Sequence, residues 1–251
     1  MSEDTRAQDF AREGYIPVEG LLQPDEIAWY REAYDRLLAG EIDAGVRRGD
    51  LGAGAERAKA NVENITQIMW PSDLVEGLGQ SAAYERALVV AREILGEDMA
   101  FDFDMLIDKA PGTDTATPWH QDCAYWLDLP DRRAASCWIA LDEATVENGC
   151  MWFLPGSHRG PLRPHRAAGS GGALQCDTPT SGTVPVPLAP GSCTFHAGAT
   201  LHHSGGNTTG GHRRALIVNF RPRAMVEQER ARGFDHGRTG PGRENRNVRT
   251  R

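Results

Sequence analysis

The feature that most constrains this chain is a change of hydrophobic period at residue 101. From there Phe101, Phe103, Met105 and Ile107 alternate with Asp102, Asp104 and Asp108, the two-residue period of a strand with two unlike faces. Further strand-like runs follow at residues 136–141, 151–154, 184–188, 192–196 and 215–220. They are separated by Pro155-Gly156, Ser170-Gly171-Gly172 and Gly205-Gly206. No helical pattern lies between them, which favours a closed or double-sheet β architecture over a parallel βαβ sheet. Residues 1 to about 96 read instead as mainly helical. One short helix over 7–13 stops at Gly14. A second opens at Pro24-Asp25-Glu26 and repeats Ile27, Tyr30, Tyr34, Leu37 and Leu38 at helical spacing. A third covers 81–95, with Ser81 as cap and Gly96 as stop. The Gly-rich stretch 167–173 reads as a flexible surface loop.

Composition narrows the class. With 251 residues, 40% apolar and 25% charged, the chain can bury a real core, and a single domain over 1–251 is expected. A net charge of −8 argues against a protein that neutralises nucleic-acid phosphates. Charge is uneven: between Arg221 and Arg251 there are nine arginines against Glu227, Glu229, Asp235 and Glu244. The expectation is therefore a core of about 8–222 and an Arg-rich C-terminal tail over 223–251 that is a solvated end. Cys123, Cys137, Cys150, Cys176 and Cys193 form no CxxC pair, so a reducing cytoplasmic location is expected. There is no secretory h-region behind the acidic start Met1-Ser2-Glu3-Asp4 and no run of about 18 apolar residues, so no membrane association is expected.

The residues that carry chemistry begin with Trp119-His120-Gln121-Asp122. On an extended chain positions two apart share a face, so His120 and Asp122 can grip one ion from a single strand end. The segment Leu201-His202-His203-Ser204 offers either of two histidines as a third ligand. Two imidazoles and a carboxylate on one face of an octahedral ion leave open positions, the arrangement of non-heme Fe(II) oxygenases. Arg213, at the start of the apolar run 215–220, could hold the carboxylate of an α-keto acid bidentately.

These blocks, with Tyr125-Trp126, Trp138-Ile139-Ala140-Leu141-Asp142, Asn148-Gly149-Cys150, Pro155-Gly156-Ser157-His158 and His202-x-Ser204-Gly205-x-Asn207 before Arg213, resemble the phytanoyl-CoA dioxygenase family over about residues 8–222. The resemblance implies a double-stranded β-helix, a jelly-roll or cupin-like core, with N-terminal helices packed on one sheet. It implies Fe(II), 2-oxoglutarate and O₂, with His120, Asp122 and His202 as metal ligands and Arg213 on the far carboxylate of the keto acid. His202 is preferred to His203 because the family's distal histidine stands two positions before the serine of the Ser-Gly pair. Further 2-oxoglutarate contacts map onto Gln67, Met105, Trp138 and Ser204.

The implied reaction is hydroxylation of an unactivated C–H bond of a small molecule, with release of succinate and CO₂. Asp122 fills the position that halogenating relatives leave open, while desaturation, epimerisation or ring formation could follow the same hydrogen abstraction. Asn61, Trp70, Trp119, Tyr125, Trp126 and His165 are the expected substrate-pocket residues; His158, His196 and His212 read as structural or surface groups. A cupin-like metalloenzyme without 2-oxoglutarate and a non-catalytic binding protein on the same scaffold are the alternatives.

Overall fold

The computed structural model describes residues 3–52, 63–179 and 181–239. The chain runs through α1 (Glu3–Glu13), β1 (Tyr15–Val18), α2 (Pro24–Leu38), β2 (Arg48–Asp50), β3 (Ile65–Met69), α3 (Pro71–Leu74) and α4 (Ala82–Leu95). It continues with β4 (Met99–Lys109), β5 (Thr117–His120), β6 (Ala135–Ala140), β7 (Met151–Phe153), β8 (Arg166–Ala167) and β9 (Leu174–Gln175). The remaining elements are β10 (Val184–Val186), β11 (Cys193–Ala197), β12 (His202–Ser204), β13 (Arg213–Pro222) and α5 (Arg223–Ala231).

A seven-stranded sheet in the order β1-β11-β6-β13-β4-β3-β2 faces a four-stranded sheet in the order β10-β7-β12-β5, the double-stranded β-helix expected. Ten-residue β13 is the spine of the larger sheet, antiparallel to β4 on one side and β6 on the other. Its Leu216, Val218 and Phe220 join Leu106, Cys137, Ile139 and Phe195 on the outer face. There they pack against Tyr30, Tyr34 and Leu37 of α2 and Ala87, Val90 and Ala91 of α4. That apolar layer leaves the opposite face of the sheet free to build a cavity against the smaller sheet.

The alternation in β4 separates two buried faces rather than an inside from an outside. Asp102, Asp104 and Asp108 are all buried, while Phe103, Met105 and Ile107 line the cavity. Asp104 is held by the Ser72 N–H at 3.0 Å, the Ser72 hydroxyl at 3.0 Å and the Tyr84 hydroxyl, which ties α3 and α4 to the sheet.

Four expectations need correction. The region before residue 96 contributes β1, β2 and β3 as well as helices. Ile65–Met69 is buried on both faces, so it shows no alternation, and β1 exists through its pairing with the distant β11. Ser81 sits at the N-cap of α4 but makes no side-chain cap bond; its hydroxyl engages Tyr30 and the Leu78 carbonyl. The 167–173 stretch joins the paired β8 and β9, and Gly171 lies so close to the Asp50 and Leu51 backbone that a Cβ would collide there. Nor is the C-terminal segment a solvated end over 223–239. It folds back through α5, with buried Arg221–Glu229 and half-buried Arg230–Asp102 ion pairs of 2.5 and 2.6 Å.

Burial raises the Asp104 carboxyl from its ordinary 3.8 to about 6. Between those values the folded state holds the extra proton, so this group's contribution to stability falls as pH rises through 4–6 and is level above. Urea unfolding of wild type and Asp104→Asn across pH 4–7 should show the wild type losing up to about 3 kcal/mol relative to the variant over that window. Parallel curves would show that Asp104 does not titrate there.

Candidate metal and cosubstrate site

The β5–β12 ladder brings the candidate metal ligands together. His120 and His202 are direct cross-strand partners, and their rings lie 4.2 Å apart between centroids. Asp122 follows one turn of chain beyond β5, and its Oδ1 lies 3.4 Å from both His120 Nε2 and His202 Nε2. One ligand atom from each of the three residues falls within 4.8 Å of the others. Each histidine donates its Nδ1–H to the carbonyl two residues back, Pro118 at 2.8 Å and Thr200 at 2.9 Å, which leaves both Nε2 lone pairs directed at the common centre.

Electrostatics match a cation. Burial resists ionisation of Asp122, but the surrounding imidazoles, His202 foremost, outweigh it and hold the carboxyl well below the usual range. Burial, reinforced by His202, lowers the His120 imidazole toward its neutral form. An ionised carboxylate and neutral imidazoles are the forms that bind metal. Two nitrogens and one oxygen on one side of the ion fit Fe(II) with open positions for other ligands.

Asp122 is itself held by residues that the sequence reading left out. His196, Ser136 and Asn219 occupy one register row across β11, β6 and β13. His196 Nε2 lies 3.2 Å from Asp122 Oδ2, so His196 is a carboxylate-orienting residue rather than the bland structural group expected. The Ser136 hydroxyl is 2.7 Å from both Asp122 Oδ2 and Asn219 Oδ1 and can donate to only one of them. Turning the Asn219 amide resolves this, because its Nδ2 otherwise has no partner; it then donates to Ser136, which donates to Asp122. The only sequence signal was a polar residue inside each of three apolar runs.

Arg213 lines the same cavity. It is 1% exposed, and its Nε and Nη1 have no hydrogen-bond partner among the described residues. Burial lowers the guanidinium to about 10, still charged at neutral pH. Trp138 lies under it at 5.1 Å, while neighbouring Lys109 spends its ammonium on the carbonyls of Thr115, Ser204 and Gly205. A buried cation with a free edge fits a bidentate carboxylate. Gln67, Met105, Trp138 and Ser204 line the same cavity, although Gln67 Nε2 contacts Met105 Sδ at 3.1 Å. Arg214, one residue on, points the other way to Asp142 and Asp35.

The cavity has a volume of about 120 Å³ and opens to solvent. Tyr125 and Trp126 line it as expected, with Gly198 beneath the Trp126 ring at a distance no Cβ could share. The other substrate expectations fall differently. His165 is spent on backbone: its Nε2 accepts the Gln121 N–H at 3.1 Å and its Nδ1–H donates to the Arg163 carbonyl, so it braces the His120–Asp122 segment. Trp119 packs behind the wall on His203, and Trp70 lies under the C-terminal segment, donating its indole N–H to the Asp235 carbonyl. Asn61 lies outside the described residues. Phe103, Phe234 and His236 also line the cavity, and none was anticipated.

Comparison with known proteins agrees with this geometry. A family model described as phytanoyl-CoA dioxygenase (PhyH) matches residues 10–215. Peroxisomal phytanoyl-CoA dioxygenase of Rattus norvegicus is 26% identical over 222 residues, 84% of this chain and 66% of that protein. Ectoine dioxygenase of Streptomyces anulatus is 33% identical over 156 residues, 61% of this chain and 50% of that protein. The chain thus spans between half and two thirds of the length of these relatives. Among solved structures, EvdO2 from Micromonospora carbonacea var. aurantiaca, complexed with 2-oxoglutarate, has a TM-score of 0.73 and 35% identity over 88% of this chain and 90% of its own. SnoN, a non-heme alpha ketoglutarate dependent epimerase from nogalamycin biosynthesis, has a TM-score of 0.69 and 27% identity over 87% of this chain and 82% of its own.

The paired histidines of β12 separate cleanly. His202 is the cross-strand partner of His120, whereas His203 lies tilted between Trp119 and Trp152 at the cavity's edge. His202→Ala should weaken Fe(II) binding by at least about 100-fold, and His203→Ala by less than about tenfold, as measured by anaerobic titration. The reverse order would transfer the ligand role to His203.

Proposed function

The chain belongs to the phytanoyl-CoA dioxygenase family, and from that membership we propose that it is a single-domain Fe(II)/2-oxoglutarate-dependent dioxygenase that hydroxylates an unactivated C–H bond of a small-molecule metabolite. The observation that carries this reading is the pairing of a three-residue metal-binding set with an unpartnered buried guanidinium in one cavity. His120, Asp122 and His202 hold the iron, and Arg213 takes the far carboxylate of 2-oxoglutarate. Iron held by His120, Asp122 and His202 would supply O₂ activation coupled to decarboxylation of 2-oxoglutarate to succinate and CO₂, with the second oxygen atom going to the substrate C–H bond.

The protein's own part is positioning. Arg213, flat against Trp138, anchors the cosubstrate at one end; Gln67, Met105 and Ser204 supply the walls around it. His196 and Ser136 keep the Asp122 carboxylate turned toward the imidazoles. Tyr125, Trp126 and Phe103 form an aromatic wall that excludes water and orients the substrate carbon. The Tyr125 hydroxyl accepts the Leu174 N–H at 2.7 Å, so the wall is pinned to the β8–β9 flap rather than free to swing. A small molecule is the partner, and a reducing cytoplasm suits five free cysteines. Among the described residues no helix is long and apolar enough to cross a membrane.

Epimerisation is a second reading, favoured by the likeness to SnoN. Product mass separates the two: hydroxylation adds one oxygen atom, and epimerisation leaves the mass unchanged.

The test is succinate formation, stimulated by a small-molecule panel, that requires Fe(II), 2-oxoglutarate and O₂. Substrate loss without succinate would replace this reading with a cosubstrate-independent metalloenzyme. Arg213→Ala should raise the 2-oxoglutarate requirement at least about tenfold while changing Fe(II) affinity less than about threefold. Equal effects on both would remove Arg213 from the anchoring role.

A further inference from the structure

Behind the cavity wall lies a second group of ionisable side chains, contributed partly by the C-terminal segment, of which His236 lines the cavity. His236 Nε2 lies 3.3 Å from Glu229 Oε2 and 3.3 Å from Asp102 Oδ2. Arg221 pairs with Glu229 at 2.5 Å, and Arg230 pairs with Asp102 at 2.6 Å. Although Asp102, Glu229 and His236 have the composition of a metal set, the two guanidinia already neutralise both carboxylates. A metal ion there would face two fixed positive charges. The formal balance of the five groups with an imidazolium is instead one positive charge, which calls for an anion.

The backbone is shaped to deliver this ring. Asn219 pairs with Phe103 and Phe220 with Phe101, so Asp102 is the extra residue of a β-bulge. Bulges re-aim side chains beside functional sites. His236 has φ 53, an uncommon conformation for a residue other than glycine. It is held there from both sides. Asp235 accepts the N–H groups of Gly237 and Arg238 at 3.0 and 3.1 Å, and its carbonyl takes the Trp70 indole N–H at 2.9 Å. Arg238 lies over the Trp70 ring at 4.6 Å and pairs with Asp73. Trp70 is therefore the anchor of this strap rather than a pocket wall. Such a conformation persists when its surroundings over-determine it.

The ring itself stacks on Phe103 at 3.8 Å, meets Phe234 edge-on at 4.7 Å, lines the cavity and is only 7% exposed. With Nε2 committed to the carboxylates, Nδ1 has no hydrogen-bond partner among the described residues. We propose that His236 is a substrate-binding residue whose Nδ1–H takes an anionic oxygen, a carboxylate, of a ring-bearing substrate seated between Phe103, Trp126 and Phe234. Asp102 and Glu229 support this by favouring the charged imidazole against burial, which opposes it. The cavity then has two groups that take acids, Arg213 for the cosubstrate and His236 for the substrate, with His120, Asp122 and His202 lining the same enclosure.

This inference rests on the function proposed above, and its test is separable from it because it needs no turnover. Protein loaded with Zn(II) and 2-oxoglutarate, so that the metal ligands and Arg213 are engaged, is titrated calorimetrically with benzoate and with benzamide, its uncharged isostere. Benzoate should bind at least about tenfold more tightly than benzamide, and His236→Phe, which keeps the stack on Phe103, should abolish that preference by weakening benzoate far more than benzamide. His236→Gln, which keeps a polar contact for Glu229, serves as the second variant and should lose the preference equally. No benzoate binding by wild type, equal affinity for the two probes, or a preference that survives in both variants would overturn the assignment. Failure of succinate formation with a normal benzoate preference would instead count against the oxygenase reading alone.

Discussion

The cross-strand pairing of His202 with His120 is the contact on which the rest depends. Neither histidine is near the other in sequence, and each takes its orientation from a carbonyl two residues upstream. The ladder therefore fixes two of the three candidate ligand positions by strand pairing alone. Asp122 supplies the third from the turn that ends β5, held by a polar row running across the facing sheet. A site built this way has most of its ordering entropy met by folding, so binding energy is available for discriminating among ions rather than for assembling ligands.

Arg213 shows the complementary logic. A guanidinium buried to 1% exposure with two unpartnered nitrogens destabilises the fold unless an anion arrives. The neighbouring cation, Lys109, is fully engaged by three carbonyls, and Arg214 is engaged by Asp142, so the unsatisfied charge is confined to one side chain. That confinement converts a folding cost into ligand selectivity: an acid of the right length relieves it, and water does so only in part.

How much of this could be read from the sequence depends on the range of the interaction involved. The β4 alternation, the α2 stripe and the HxD segment are local patterns; the first two led to the right elements, and the third to side chains that the fold brings together. β1 and β3 escaped because one exists only through pairing with a distant strand and the other is buried on both sides, which erases alternation. His196, Ser136 and Asn219 escaped because a shared register row is invisible until three strands are aligned. Charge counting misread the C-terminal arginines: Arg221 and Arg230 carry the same formal charge whether solvated or buried against Glu229 and Asp102. His165 was misplaced for the opposite reason, since a ring in the correct neighbourhood can be consumed entirely by backbone groups.

This uneven legibility follows from how the cavity is divided. Its inner end is made by regular strands of the two sheets, where Gln67, Met105, Trp138 and Arg213 occupy positions fixed by the ladder. Its outer end is assembled from appended pieces: the turn after Asp122, the β8–β9 flap pinned by Tyr125, and the strap that carries Phe234 and His236. Strand register tolerates little change, because a one-residue slip would reverse every side chain on the face. The appended pieces can vary while the ladder stays intact. Proteins sharing the inner end can therefore take the same cosubstrate and still act on unlike substrates. For this chain, the residues that distinguish its substrate belong to the segments whose sequence pattern said least.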